Sequence, residues 1–516
     1  MKKLKGLLLA ATLMLSANAL MAQSYTETAL MFSRTRPTGS ARVLGMGGTN
    51  VSLGGDFSSA YSNPAGLGMY NRSEFSFTPG YYSLRNAGSY MANDNVISDN
   101  NIDTKTSLNI SGLGLMFSKP QNDQGFLHGT FGITVTRLND FNSNLQYKGV
   151  NNSSSLIDYF IENANGGTPE QFGSEGALYN TVTGLGYDNY LLGEASILDS
   201  SFPSDQYFTD FDPAVNPNVV QQERIQTKGA QNQWNFSYGA NFNDKFFLGG
   251  GVGVVALNFQ SHKVFSESFT DQPISGYTLT EDLQIKGTGI NLTIGGIARP
   301  ADGFQVGASI TTPTRYNLTD TYSAKLSSSW KNFDYYGDGS EMLNAVSSET
   351  DVITSGYTLR TPWKFAAGAS YIFGKSGLIT LDIENLNYGG AKYSSQTTGV
   401  SYDADNDDIK NLYASTWNFR AGGEFRLDAL RFRAGAGYRP DPFKQQNDVS
   451  AAIVSGSLGA GYRANKFFID VAYVKSWASA SYRPYTLTNS NMAQFSPALN
   501  YDQNMDNIVA TIGFTF

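Results

Sequence analysis

The stretch ARVLGMGGTNVSLGGDFSSAYSNPAGLG, Ala41 to Gly68, decides how the rest of the chain is read. Glycine and other small residues dominate it, and no apolar face recurs at helical or strand spacing. Such a segment can lie close to other backbone but cannot build a core by itself, so it needs a container. Within it, Pro64 fixes its own backbone and restrains Asn63, while Ala65 and Gly66 allow close approach. The tetrapeptide Asn63, Pro64, Ala65, Gly66 therefore predicts a tight turn anchored by a side chain.

The container follows. At the C-terminus Ile508, Ala510, Ile512, Phe514 and Phe516 share one face of a strand, and Asn507, Val509, Thr511, Gly513 and Thr515 share the other. Trp417, Phe419, Ala421, Gly423, Phe425 and Leu427 alternate in the same way with Thr416, Asn418, Arg420, Gly422, Glu424 and Arg426. One face suits lipid and the other water. Such segments are predicted near 73–84, 105–117, 128–139, 231–242, 246–265, 279–298, 304–327, 358–373, 378–394, 414–427, 430–439, 451–463, 467–484 and 506–516. Their number is even, and short connections such as Asn243 to Lys245 and Gly374 to Gly377 alternate with long ones. Outer-membrane barrels have that asymmetry, with short periplasmic turns, whereas a soluble sandwich has no reason for it. The predicted fold is all-β: a fourteen-stranded antiparallel transmembrane β-barrel with an N-terminal plug, or hatch, in its lumen.

Composition agrees. Thirty Tyr and 33 Phe bring aromatics to 13% of 516 residues, while charged residues make up only 16%. The first residues read as a secretory signal peptide (1–22): Lys2, Lys3 and Lys5, an apolar run from Leu7 to Leu15 too short to span a bilayer, and small residues ending at Ala22. The expected organisation is then a plug over 23–72 and a barrel over 73–516. The absence of cysteine excludes disulfides, thiolate metal sites and a lipoprotein anchor. Loss of the three leader lysines takes the formal charge from −8 to −11, which argues against a nucleic-acid partner.

Catalytic chemistry has little to work with. His128 and His262 are the only histidines, and no serine motif accompanies either, so no enzyme, metal site or cofactor is expected. Asp403 to Asp408 has the alternate carboxylates of a calcium loop but Asp408 where glycine is required, and reads as an acidic external loop. Asp382, Glu384, Arg420, Glu424, Arg426, Arg431, Arg433 and Asp470 all fall on the polar faces, and buried charges of both signs must pair or stay wet. They predict a polar lumen able to grip a plug, with Arg42 and Asp56 as plug partners.

The connection 140–230 is too long for a simple turn. In SSLIDYFIENANG, Ser153 or Ser154 could cap a helix presenting Leu156, Ile157, Phe160 and Ile161 on one side, and a second apolar cluster includes Leu191 and Leu192. Two readings stand equally: an apolar surface that captures something, or side chains packing the loop onto the barrel rim.

ARVLGMGG and NPAGL, together with the segments Lys286 to Tyr316 and Thr361 to Tyr388, give the chain a resemblance to the FadL-like outer-membrane transporters of long-chain fatty acids and other hydrophobic compounds. The resemblance implies a hatch at Asn63, Pro64 and Ala65, an external hydrophobic groove, and lateral release through the wall near the third strand, where Gly129 and Gly132 would ease bending. It implies passive transport by a monomer in the outer membrane of a Gram-negative bacterium, with a hydrophobic small molecule and membrane lipid as partners. The N-terminal motifs also resemble a barrel group associated with type IX secretion, which acts on proteins, and related chains are sometimes labelled haem receptors. Both remain alternatives at this point.

Overall fold

The computed structural model describes residues 24–516 except 93–94, 124, 199–200, 210–218, 271, 446–448 and 490–491, so the leader lies outside the described residues. Fourteen antiparallel staves close on themselves. In chain order they are β1 (Glu74–Ala92), β2 (Asn95–Asp123), β3 (Phe126–Asp140), β4 (Val219–Phe242), β5 (Phe246–Ser268) and β6 (Ile274–Ala301). Next come β7 in two parts (Phe304–Thr311 and Arg315–Asp334), β8 in two parts (Ile353–Arg360 and Lys364–Phe373) and β9 in two parts (Gly377–Asn387 and Lys392–Ser395). The last five are β10 (Ser415–Leu427), β11 (Leu430–Arg439), β12 (Ile453–Arg463), β13 (Phe467–Tyr482) and β14 (Ala498–Thr515). Closure comes from β14 pairing with β1, from Glu74 opposite Thr515 to Met91 opposite Ala498.

The alternation in the sequence has the outcome expected of it. Neighbours Leu381 and Asp382 are 62% and 2% exposed, because one faces outward and the other faces the lumen. Outward Leu248, Ile294, Leu458 and Phe514 belong to the same apolar band. Turns at one end are tight: in the three-residue connection Asn243 to Lys245, Asn243 and Asp244 both take φ of 54° and Lys245 N–H donates to the Phe242 carbonyl at 3.1 Å.

Several staves run further than the sequence pattern predicts. Strand β1 reaches Ala92 rather than 84, β2 starts at Asn95 rather than 105, and β4 starts at Val219 rather than 231. Beyond the apolar band the outward residues meet water, so the ladder continues while the apolar alternation that marks it disappears. The interruptions in β7 and β8 have a covalent cause. Pro313 and Pro362 lack an N–H, and the gap is patched by Thr361 N–H donating to the Thr314 carbonyl at 3.0 Å and Thr314 N–H donating to Thr361 Oγ1 at 2.9 Å. The acidic segment expected to be a loop is instead a helix, Asp403–Leu412, with Asp403 and Asp405 in its first turn, Lys410 in its last and Ile409 buried. That charge order complements the helix dipole.

Closed ladders of this kind resist detergent. The unheated protein is expected to fractionate with the outer membrane and to migrate faster on a gel than the boiled form. Deleting Phe516, whose N–H donates to the Ser73 carbonyl at 3.0 Å, should impair assembly more than a conservative change in an outer loop.

Candidate functional site

The N-terminal segment fills the lumen. Helix α1 (Tyr25–Ser33) lies high in it, α2 (Ala41–Gly45) lies against β12 and β13, and Pro64–Met69 forms a 3-10 turn against β4, β5 and β6. Asn63, fully buried, organises that turn. Its Nδ2 donates to the Val51 carbonyl at 2.7 Å and to the wall carbonyls of Gly296 and Ala308 at 3.2 and 3.3 Å, while its Oδ1 accepts from Ala65 N–H at 3.2 Å. Pro64 starts the turn where its missing N–H costs nothing. The wall is cut to receive it: a Cβ on Gly239 or Gly249 would collide with Pro64 backbone, and one on Gly295 would collide with Asn63 Oδ1.

Charges complete the grip. The Asp382 carboxylate accepts the N–H groups of Asn50 and Val51 at 2.7 and 3.0 Å. Arg433 bridges Glu424 and Asp470, both at 2.7 Å, and Arg42 of the plug joins Glu424 at 3.8 Å. Arg420 pairs with Glu384 at 2.7 Å. Of the two plug partners read from the sequence, Arg42 meets the wall, whereas Asp56 turns inward and accepts from Ser40 Oγ at 2.6 Å. Arg431 belongs to a tight turn, donating to the Asp428 carbonyl at 2.6 Å.

The loop residues form a dome. Helix α3 (Leu156–Ala164) is capped by Ser155, one residue beyond the expected serines: Ser155 Oγ accepts from Ile157 N–H at 3.1 Å and Asp158 accepts from Ser155 N–H at 2.8 Å. Leu156, Ile157, Phe160, Leu191 and Leu192 are buried and Ile161 is partly buried, all in one apolar cluster with Phe141 and Phe259. They face into the molecule. An amphipathic helix is legible from its spacing, but not which side its apolar face finds.

At the third strand the structure places Gly129 and Gly132 within unbroken pairing, opposite Lys119 and Met116 on one side and Ala240 and Ser237 on the other. Their missing side chains leave room for Tyr238 at Gly129 and for Met116 and Leu67 at Gly132. Backbone pairing lapses further along the same strand, where the segment Ser143–Asn151, paired with β4, lies beside β2 and reaches it by Gln146 Nε2 donating to the Ile102 carbonyl at 3.4 Å and Lys148 N–H donating to Asn101 Oδ1 at 3.3 Å. Pairing between β2 and β3 stops at Gly112 opposite Thr136, although β2 runs outward to Asn95 and β3 to Asp140. Two shifts of register flank this seam: one beside Pro79 in β1, which leaves Ser111 of β2 unpaired with it, and one between Arg137 and Asn139 in β3. Outward-facing Leu108 beside it is 84% exposed.

From inside, the plug covers the seam. Arg36 N–H donates to the Leu138 carbonyl at 3.1 Å and Thr38 Oγ1 to the Arg137 carbonyl at 2.7 Å, taking up carbonyls of the bulged stretch. Two cavities meet there. One of about 80 Å³ is bounded by Asn109, Ser111, Arg137 and Leu138, and one of about 420 Å³ by Leu30, Met31, Phe141, Phe259 and Ile453. Arg36, Asp140 and Arg439 line both. Among the described residues no cluster suited to a metal ion occurs.

A Pseudomonas aeruginosa FadL homologue has a similar structure, with a TM-score of 0.53 and 14% identity over 93% of this chain and 99% of that one. The Ralstonia pickettii toluene transporter TbuX (TM-score 0.49, 15% identity, 93% and 99% covered) and the Pseudomonas putida toluene transporter TodX (0.47, 13%, 93% and 98%) are more distant in shape. No family model and no curated protein matches the sequence. At 14% identity the likeness to the FadL homologue is one of fold: a plugged fourteen-stranded barrel.

Two outcomes are expected here. Asn63→Ala leaves buried carbonyls without donors, so the plug should lose about 1–3 kcal/mol, read as faster hydrogen exchange across residues 49–69. Beyond the apolar band, Glu223 accepts from Tyr147 and Tyr482 at 2.8 and 2.9 Å, and burial pushes its carboxyl from 4.5 up to about 7. The folded state therefore keeps a proton that the unfolded chain releases near 4.5. This contribution to stability is full below 4.5, shrinks as pH rises and is gone above about 7. The dome should resist protease better at about pH 5 than at about pH 8, and Glu223→Gln should flatten that difference.

Proposed function

We propose that this chain is a passive outer-membrane transporter of hydrophobic small molecules, with long-chain fatty acids the favoured cargo. The observation that carries the reading is the seam between β2 and β3, where a closed ladder gives way in front of a lumenal cavity. In hydrocarbon an unpaired strand edge is costly, so a barrel keeps one only where something covers or uses it. A solute leaving there enters the bilayer without crossing the ion-paired short-turn end of the lumen.

Capture would begin under the dome. The apolar cluster that holds Leu156, Ile157, Phe160, Ile161, Leu191 and Leu192 also holds Phe141 and Phe259, which line the larger cavity, so apolar surface is continuous from the loops to the seam. Burying apolar area gains about 25 cal/mol per Å², and each step offers it. The cavity pairs that apolar side with Arg34, Arg36 and Arg439, a combination that suits an alkyl chain ending in a carboxylate. Gly129 and Gly132 contribute below the opening, where Gly132 seats Leu67 of the plug against the wall.

The chain carries no cysteine, so a paired substitution makes one defined disulfide. In Ser111→Cys/Arg137→Cys, the first pair beyond the last bonded one, the oxidised form should take up labelled oleate about tenfold more slowly than the same variant kept reduced, in cells lacking other transporters. Uptake that ignores the cross-link would remove the lateral route, and a wild-type chain that takes up no oleate would remove the cargo.

A further inference from the structure

Asp140 stands at the outer end of β3, where pairing to β2 has already ceased. Its side chain is almost fully buried, yet it reaches across the seam: Ser107 Oγ and Asn109 Nδ2 of β2 each donate to Oδ2 at 3.4 Å. On its own strand Arg137 Nε lies 3.3 Å from the same oxygen, and Asn142, two residues beyond the end of β3, donates to Oδ1 through its backbone N–H at 3.1 Å and Nδ2 at 2.6 Å. The bonds from Asn142 are the short ones, whereas those across the seam, at 3.4 Å, lie at the edge of hydrogen-bond range. Asp140 is thus held by the turn that follows β3 and lightly attached to β2.

Cations outnumber acids around that carboxylate: Arg34, Arg36 and Arg439 line the larger cavity against Glu27 and Asp140 itself. Arg36 and Arg439 line both cavities with it; Arg36 lies 4.6 Å from the Tyr82 ring centre and Arg439 donates to the Thr35 carbonyl at 3.0 Å. Among the described residues neither has a carboxylate within ion-pairing distance. A second carboxylate brought into the cavity would find partners there, and would repel Asp140 at the same time.

We propose that Asp140 latches the seam and that a cargo carboxylate releases it, by taking Arg36, Arg137 and Arg439 as partners and displacing Asp140 from Ser107 and Asn109. The proposal rests on the seam being the exit. It makes the gate selective for charge as well as apolarity: an alkyl carboxylate opens it, whereas the alcohol of equal chain length gains the same burial but cannot exchange with Asp140.

Laurate and dodecanol separate the two terms. Wild-type cells are expected to take up labelled laurate about tenfold faster than dodecanol, and Asp140→Ala should bring the ratio to about one by raising dodecanol uptake. Asp140→Asn, which keeps the shape without the charge, should fall between them. A ratio unchanged in both variants overturns the latch. The seam can also be read without transport, from spin labels at Leu108→Cys and Phe131→Cys in protein held in lipid nanodiscs. Laurate should lengthen the distance in the wild-type background and dodecanol should not, while Asp140→Ala should be long without either. If the wild type takes up neither compound, the transport reading fails, and the label distances still decide the latch: identical distributions in every state overturn it.

Discussion

Every backbone N–H and C=O in a bilayer must find a partner inside the protein, and this one requirement organises the molecule. It makes fourteen strands close on themselves, with Phe75 meeting Phe514 where the first stave joins the last. It also makes departures from the ladder conspicuous. The patch at Pro313 and Pro362 is completed by threonine groups of the same two strands. At the seam between β2 and β3 the partners come from a different part of the chain, because Arg36 and Thr38 of the plug take the carbonyls of Leu138 and Arg137. Wall and plug therefore share one hydrogen-bond account at the place where the wall is weakest.

The plug is held by shape and charge together. Glycines of the wall allow Pro64 and Asn63 to touch strand backbone directly, while Asp382, Glu424 and Arg433 supply fixed charges in a water-poor lumen. Buried ion pairs add little net stability when desolvation is counted, but breaking one partner is expensive, so such pairs fix position. The plug is thereby tied to the wall through backbone and side chains alike.

Strand existence was legible because lipid on one side and a polar lumen on the other impose a strict period of two: Leu381 beside Asp382 and Phe419 beside Arg420 carry it without ambiguity. The hatch motif was legible because few backbones other than an anchored turn use proline between asparagine and two small residues. Strand ends such as Ala92 and Val219 were not, since above the band both faces are wet. The helix at Asp403–Leu412 was hidden by its charge, which suits a helix start as well as a loop. Arg36, Thr38 and Asp140 carried no sequence signal at all: their role depends on where pairing between β2 and β3 stops, a contact between segments about 100 residues apart for the plug and about 30 apart for Asp140. Leu156, Ile157 and Phe160 gave the right helix with its direction undecided, because periodicity reports a face and not its partner.

Single-channel conductance in planar bilayers tests the plugged barrel most directly, by comparing the full chain with one lacking residues 41–68. Loss of that segment empties the socket formed by Gly239, Gly249 and Gly295 and unpairs the lumenal charges, so the shortened barrel should conduct ions steadily while the full chain stays nearly closed. Equal conductance in the two, with both shown to be folded by their gel shift, would mean that the segment does not close the lumen.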